Sequence, residues 1–231
     1  INIEINLKFG AKMINRTATI IGATGLIGSQ LLDLLQNDSA FSEIKIIVRR
    51  AVKIDNPKVK VSIIDFSDEE SFQSKISGSS VVFCAVGTTN KKTKGDKNEY
   101  RKIDYYIPVT AAKLSLETGC EQFILVSSYG ANSKSNNFYT KLKGEVEDTI
   151  SGLNIPSLSI FRPSLLLGKR QEFRFGEIIA TLLMKPLSFL LPTKMKPIRA
   201  HDVAKSMIEA SKADAKGTKI FHYKEILKSM K

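Results

Sequence analysis

From Arg16 onward, short β-branched runs alternate with amphipathic stretches. Thr17–Ile21, Ile44–Val48, Val59–Ile64, Val81–Ala85, Phe123–Val126 and Leu158–Phe161 have the length and composition of strands. Between them, Ile27, Leu31, Leu34 and Leu35 mark one apolar helix face, and Tyr100, Ile103, Ile107, Ala111 and Leu114 mark another. Strands separated by helices predict right-handed crossovers and a doubly wound parallel sheet of α/β class. After Phe161 the pattern loosens, which predicts a small C-terminal substrate lobe stitched onto the core. A late helix is expected to start at an Asp202 cap and to carry Val203, Met207 and Ala210 on one face. No Pro-, Gly- or Ser-rich linker interrupts the chain, so residues 13–231 are expected to form one domain. Ile1–Lys12 precedes Met13 and reads as an N-terminal extension outside it.

The first strand runs into Gly22-Ala-Thr24-Gly25-Leu26-Ile27-Gly28 and then a leucine-rich helix. A strand that ends, turns tightly and opens a helix points free N–H groups at a pyrophosphate. Gly22 permits the turn, Gly25 lets the backbone approach the phosphates, and Gly28 allows close helix packing. This order makes the sheet Rossmann-type. The second strand ends in Arg49 and Arg50, with no acidic residue before Asp55. An NAD-preferring site places a carboxylate there for the ribose 2′-hydroxyl, whereas guanidinium groups suit a 2′-phosphate. NADP(H) is the expected cofactor; two solvated arginines at a strand end are the plainer alternative.

The fifth strand ends in Val126-Ser127-Ser128-Tyr129-Gly130, and Tyr139 and Lys143 follow at i and i+4 of a helix. A free tyrosine titrates near about 10 and is a poor acid–base group at neutral pH. A neighbouring ammonium favours the phenolate and brings it toward the working range. Ser128 would orient a substrate carbonyl, with Ser127 the alternative, and Tyr139 would protonate the developing alkoxide. Lys143 would also bond the nicotinamide ribose. A Tyr-x-x-x-Lys pair alone fits an ordinary amphipathic surface helix equally well.

Taken together, these segments resemble an atypical member of the short-chain dehydrogenase/reductase superfamily, similar to the Tat-interacting-protein-type oxidoreductases and their bacterial relatives. The resemblance is carried by Gly22–Gly28, Phe83-Cys-Ala-Val-Gly-Thr-Thr89, Val126-Ser-Ser-Tyr-Gly-Ala131, Phe138-Tyr-Thr-Lys-Leu-Lys-Gly-Glu-Val-Glu147 and Phe161-Arg-Pro-Ser-Leu-Leu-Leu-Gly168, and continues through Glu177. It implies that Gly22, Thr24, Gly25, Leu26, Ile27 and Gly28 bind the pyrophosphate. It further implies that Arg49 and Arg50 take the adenosine phosphate, that Asp65 and Phe66 flank adenine, and that Ala85, Val86 and Gly87 line the ribose. By the same resemblance Ser127 would lie beside the cofactor, Arg162, Pro163 and Ser164 would come near the nicotinamide amide, and Ser128, Tyr139 and Lys143 would fill the catalytic positions. The glycine spacing is that of extended and atypical members, and the Asn-Asn-Ala-Gly of simple members is missing. The expected activity is NADPH-dependent hydride transfer to a small carbonyl-like substrate. The alternatives are a non-catalytic, redox-sensing NADP(H)-binding regulator and nucleotide-dependent epimerase chemistry.

Charge changes this picture little. The 231 residues carry 35 Lys+Arg against 23 Asp+Glu, a net +12, yet the excess is spread evenly and is mostly lysine. Without a basic arm or interleaved aromatics, specific nucleic-acid binding is not expected. Lys91, Lys92, Lys94 and Lys97 after the fourth strand either steer anions or form a solvated loop. Cys84 and Cys120 read as buried thiols, and His201 and His222 as structural, with no metal motif. Arg170, Glu172 and Arg174 either hold an anionic substrate or pair on the surface. The apolar Phe175–Leu191 stretch suits core packing, a lid over an apolar substrate or weak peripheral membrane contact. With no transmembrane run or visible signal peptide, a cytoplasmic location is expected.

Overall fold

The computed structural model describes residues 16–168, 195–213 and 215–230. Its centre is a seven-stranded, wholly parallel sheet in the order β3-β2-β1-β4-β5-β6-β9. The strands are β1 (Arg16–Ile21), β2 (Phe41–Val48), β3 (Val59–Ile63), β4 (Val81–Cys84), β5 (Gln122–Val126), β6 (Ser157–Phe161) and β9 (Gly217–Phe221). A separate two-residue ladder joins β7 (Leu166–Leu167) to β8 (Ile198–Arg199). The helices are α1 (Leu26–Gln36), α2 (Glu69–Ile76), α3 (Lys97–Arg101), α4 (Ile107–Glu117), α5 (Phe138–Ser151), α6 (Ala200–Lys212) and α7 (Tyr223–Lys228). A π-helical turn, Lys102–Tyr106, joins α3 directly to α4.

The central strands are buried on both faces, as parallel strands covered by crossover helices must be. Ala18 and Ile20 of β1, with Val81 and Phe83 of β4, face a core shared with Leu31, Leu35, Val203 and Met207 from α1 and α6. Ile21, Val82 and Cys84 point the other way, toward Phe72, Ala111, Val146 and Ile150 from α2, α4 and α5. Alternation along each strand therefore feeds two cores, one per face. Strand order reverses between β1 and β4, so a crevice opens there outside the carboxyl ends of the strands.

Two expectations change. The sheet has a seventh strand, β9, so the chain after Phe161 returns to the core, contributing α6 and β9 as well as the small ladder. The late helix begins at Ala200 with Arg199 as its cap residue, not at Asp202. Asp202 lies in the first turn, where its carboxylate accepts from Arg199 Nε at 2.8 Å, and His201 lies in that turn too. Among the described residues, no helix is long and apolar enough to cross a membrane, and no group of three or more His, Cys, Asp or Glu could hold a metal ion. Ile1–Lys12, Arg170, Glu172, Arg174 and Phe175–Leu191 lie outside the described residues.

Candidate active site

The turn after β1 is built by close approach. Gly22 has φ +91°, and a Cβ there would sit 2.7 Å from the Ala85 carbonyl at the end of β4. A Cβ on Gly28 would lie 2.0 Å from the Gly22 carbonyl, so the start of α1 rests directly on the turn. Thr24 and Gly25 are exposed, while the Ile27 side chain is buried and offers the site only its backbone. Leu26 packs toward Gly168. Gly25 precedes α1 with no side-chain cap, and the first turn holds no acidic residue. Free N–H groups and the positive helix end therefore face the crevice without an internal counter-charge, which fits a pyrophosphate.

Arg49 and Arg50 follow β2 and are exposed. Arg49 lines a cleft of about 470 Å³ together with Lys92, Lys94, Asp96, Glu99 and Ile103. Beyond β3, Asp65 is exposed and accepts from the Ser67 N–H at 2.9 Å, a bond that holds its carboxyl below the ordinary range. Phe66 packs edge-on to Phe72, centroids 4.9 Å apart, so its ring is partly committed to the core.

The segment after β4 meets the π-helical turn. Asp104, 1% exposed, accepts from the Thr88 N–H at 2.7 Å through one oxygen. Its other oxygen lies 2.9 Å from Nζ of Lys143, itself buried on α5. Tyr100 donates to the Thr88 carbonyl at 3.2 Å. Gly87 is exposed above this network, and Ala85 and Val86 are partly buried against the two cores. Burial works against the Lys143 charge, but Asp104, Tyr139 and Tyr100 outweigh it and hold the ammonium above the usual lysine range. Nearby Cys84 is fully buried, which pushes its thiol up to about 12 and keeps it neutral.

At the end of β5 the two serines diverge. The Ser127 hydroxyl is buried and donates to Glu147. Arg162 Nε lies 3.0 Å from both oxygens of that carboxylate, and its Nη2 also pairs there. Ser127 and the partly buried Arg162 are thus joined through buried Glu147, their polar groups turned to its carboxylate between β5, β6 and α5. Ser128 is only partly buried, and its hydroxyl makes a long 3.4 Å contact to the Tyr129 carbonyl. Tyr129 N–H donates to the Pro163 carbonyl at 2.9 Å, and Ser164 Oγ donates to the Lys196 carbonyl. Asn137 caps α5 through the Tyr139 and Thr140 N–H groups, leaving the Tyr139 ring 40% exposed one turn before Lys143.

A further close approach seats the loop between Ser128 and α5 on that helix. A Cβ on Gly144 would lie 2.1 Å from the Ser133 nitrogen, so the Asn132–Ser133 backbone lies flat on α5. Asn132 N–H donates to the Thr140 carbonyl at 3.0 Å. The glycine turn follows β1, Ala85–Gly87 follow β4, Ser128 follows β5, and Tyr139 and Lys143 lie in the first turns of the next helix. Asp104 and Glu147 were not among the sequence candidates. The available signal for Asp104 was an acid four residues after Tyr100, on an otherwise apolar face.

A family model described as NAD(P)H-binding matches residues 22–151. Protein FMP52, mitochondrial, of Candida albicans is 37% identical over 204 residues, covering 86% of this chain and 89% of that protein. Protein HTATIP2 of Rattus norvegicus is 34% identical over 179 residues, covering 76% and 73%. Among solved structures, the Bordetella bronchiseptica enzyme WbmH in complex with NAD+ aligns with TM-score 0.70 at 16% identity, over 90% of this chain and 75% of that one. MoeE5 with UDP-glucose and NAD aligns with TM-score 0.68 at 15% identity, over 92% and 80%. These last two share the fold. The expected cytoplasmic location does not stand, because the FMP52 relatives are named mitochondrial. With the glycine turn, the Rossmann-type sheet and relatives matched over most of their length in agreement, the chain belongs to the NAD(P)-binding, atypical short-chain dehydrogenase/reductase family that includes FMP52 and HTATIP2.

Proposed function

We propose that this chain is an NADPH-dependent oxidoreductase acting on a small carbonyl-like substrate. The observation that carries the reading is an exposed Tyr139 one helical turn from a buried, charged Lys143, both on α5 beside the segments that frame the cofactor crevice. The uncapped start of α1 receives the pyrophosphate, and Arg49 and Arg50 receive the adenosine 2′-phosphate. Bound NADPH supplies the hydride. Ser128 donates its hydroxyl hydrogen bond to the substrate carbonyl oxygen, and the Tyr139 phenol delivers its proton to that oxygen as negative charge develops there. Lys143 stabilises the phenolate left behind, and Asp104 keeps the ammonium fixed and charged. The names of the fungal relatives support a mitochondrial location.

The Asp104–Lys143 pair also favours a second reading, an NADP(H)-binding regulator without turnover, because an ammonium already paired with a carboxylate gives a phenolate less support. Calorimetry with NADPH and NADH, followed by cofactor oxidation with aldehydes, ketones and quinones, separates the two. The reductase reading expects Arg49→Ala to weaken NADPH about tenfold and leave NADH unchanged. It expects Tyr139→Phe to cut turnover about 10²–10⁴-fold. Tight NADPH binding with no turnover on any substrate selects the regulator.

A further inference from the structure

We propose that Lys94, on the turn between β4 and α3, forms the second wall of the anion site that Arg49 opens, and selects for the phosphate on the adenosine ribose. The inference rests on the NADP(H) reading above. Arg49 comes from the end of β2 and Lys94 from the turn after β4, and both line one cleft of about 470 Å³. Lys92 lines that cleft as well, and Ile103 adds an apolar wall suited to a purine face.

The acids in the cleft are already engaged. Asp96 accepts from the Asn98 and Glu99 N–H groups at 2.8 and 3.2 Å, capping α3. Glu99 pairs with Lys102 at 2.5 Å. Lys97, next on the same segment, lies over the Phe138 ring at 5.5 Å and does not line the cleft. Among the described residues, neither Arg49 nor Lys94 has an ion-pair partner. One guanidinium and one ammonium thus line the same cleft with no ion-pair partner of their own among the described residues, beside an Asp96 turned to the start of α3 and a Glu99 paired with Lys102.

The backbone of Lys94 sharpens the assignment. Its φ is +52°, a left-handed conformation that glycine or asparagine adopts with less strain, and Gly95 follows at +82°. The turn is held by Thr93 N–H to the Thr89 carbonyl at 3.1 Å and by Gly95 N–H to the Asn90 carbonyl at 2.9 Å. A lysine kept at a strained position on the rim of a cationic cleft points to its charge as the reason it is there. The same geometry would take inorganic phosphate, so the ligand's source has to be tested separately.

Lys94→Asn and Lys94→Gly remove the charge while suiting the backbone, so both variants should fold at least as stably as the wild type. By calorimetry at low salt, each is expected to weaken NADPH and 2′,5′-ADP about fivefold while leaving NADH and 5′-AMP unchanged, with Lys94→Arg retaining the preference. The gap should close as salt is raised. NADPH affinity unchanged in both variants, while Arg49→Ala loses it, overturns the role of Lys94 alone. A wild type that binds NADPH and NADH equally overturns the NADP(H) reading together with this inference. A loss confined to inorganic phosphate, with NADPH unaffected, also overturns it and leaves a free-anion site.

Discussion

An ammonium moved out of water is costly unless a counter-charge moves with it, and Lys143 and Asp104 are 6% and 1% exposed as side chains. Removing one partner leaves the other charge buried alone. Asp104→Asn should therefore destabilise the protein by about 3–5 kcal/mol, and the Asp104→Asn/Lys143→Met double variant should recover most of that without recovering turnover. Urea unfolding reads both, and a double variant no more stable than Asp104→Asn would contradict the pairing. The pH dependence has a definite sign. The folded-state pKa of Lys143 is raised, so its contribution is complete below about 10.4 and is lost as pH rises toward the higher folded value. Wild type should lose stability above about pH 10 more steeply than the double variant. Lys143 was legible from its spacing to Tyr139, but its partner was not. Asp104 stands between buried Tyr100 and Ile107 on an inward face that is otherwise apolar, and only the tertiary packing of that face against α5 brings it to Lys143.

At the level of elements, α5 holds the catalytic candidates and also the surface on which the Ser128 segment rests. Alanine at Gly144 would raise helix propensity by about 1 kcal/mol, yet its methyl group would overlap the Ser133 backbone. Overlap with backbone should win, for a net loss of about 1–3 kcal/mol, lower thermal stability and impaired turnover. A thermal midpoint that rises instead would show that the loop yields freely. Burial made β4 and β6 visible in sequence, since every residue of each is buried, whereas β3, with no fully buried residue, was visible only through its alternating β-branched residues. β9 escaped notice because four of its five residues are exposed, leaving no apolar run or alternation. Its place is set by tertiary pairing with β6. The Asp202 boundary misled for a different reason. An acid suits either the cap or the first turn, and Arg199 decides between them by holding it in the latter.

Across the whole molecule, the two-sided sheet and its glycine turn followed from the alternation of strands and helices. The surface charge said less, because most of it is dispersed lysine. The edge closed by β9 matters to the centre. Phe221 stacks on Phe161 at 4.4 Å, and its carbonyl accepts from the Arg162 N–H at 2.9 Å. A chain ending at Lys216 would uncover Phe161, loosen the Arg162–Glu147 clamp and leave β6 as an unpaired edge. That truncation should aggregate on refolding and fail to bind NADPH, as light scattering and calorimetry would show. Full solubility and wild-type NADPH affinity would mean that the edge is dispensable.

The position of β1 has a consequence for how the chain is made. It is the first strand of the sheet in sequence and lies between β2 and β4, so later strands can be added outward on either flank without threading between existing ones. The β1–β2–β3 flank can pair as soon as residue 63 is available, whereas the opposite flank waits for β9 at residues 217–221. Until then β6 lacks its outer neighbour. A ribosome-bound or membrane-translocating chain would therefore carry one finished flank and one open flank, and the open one is the side that a chaperone would have to shield.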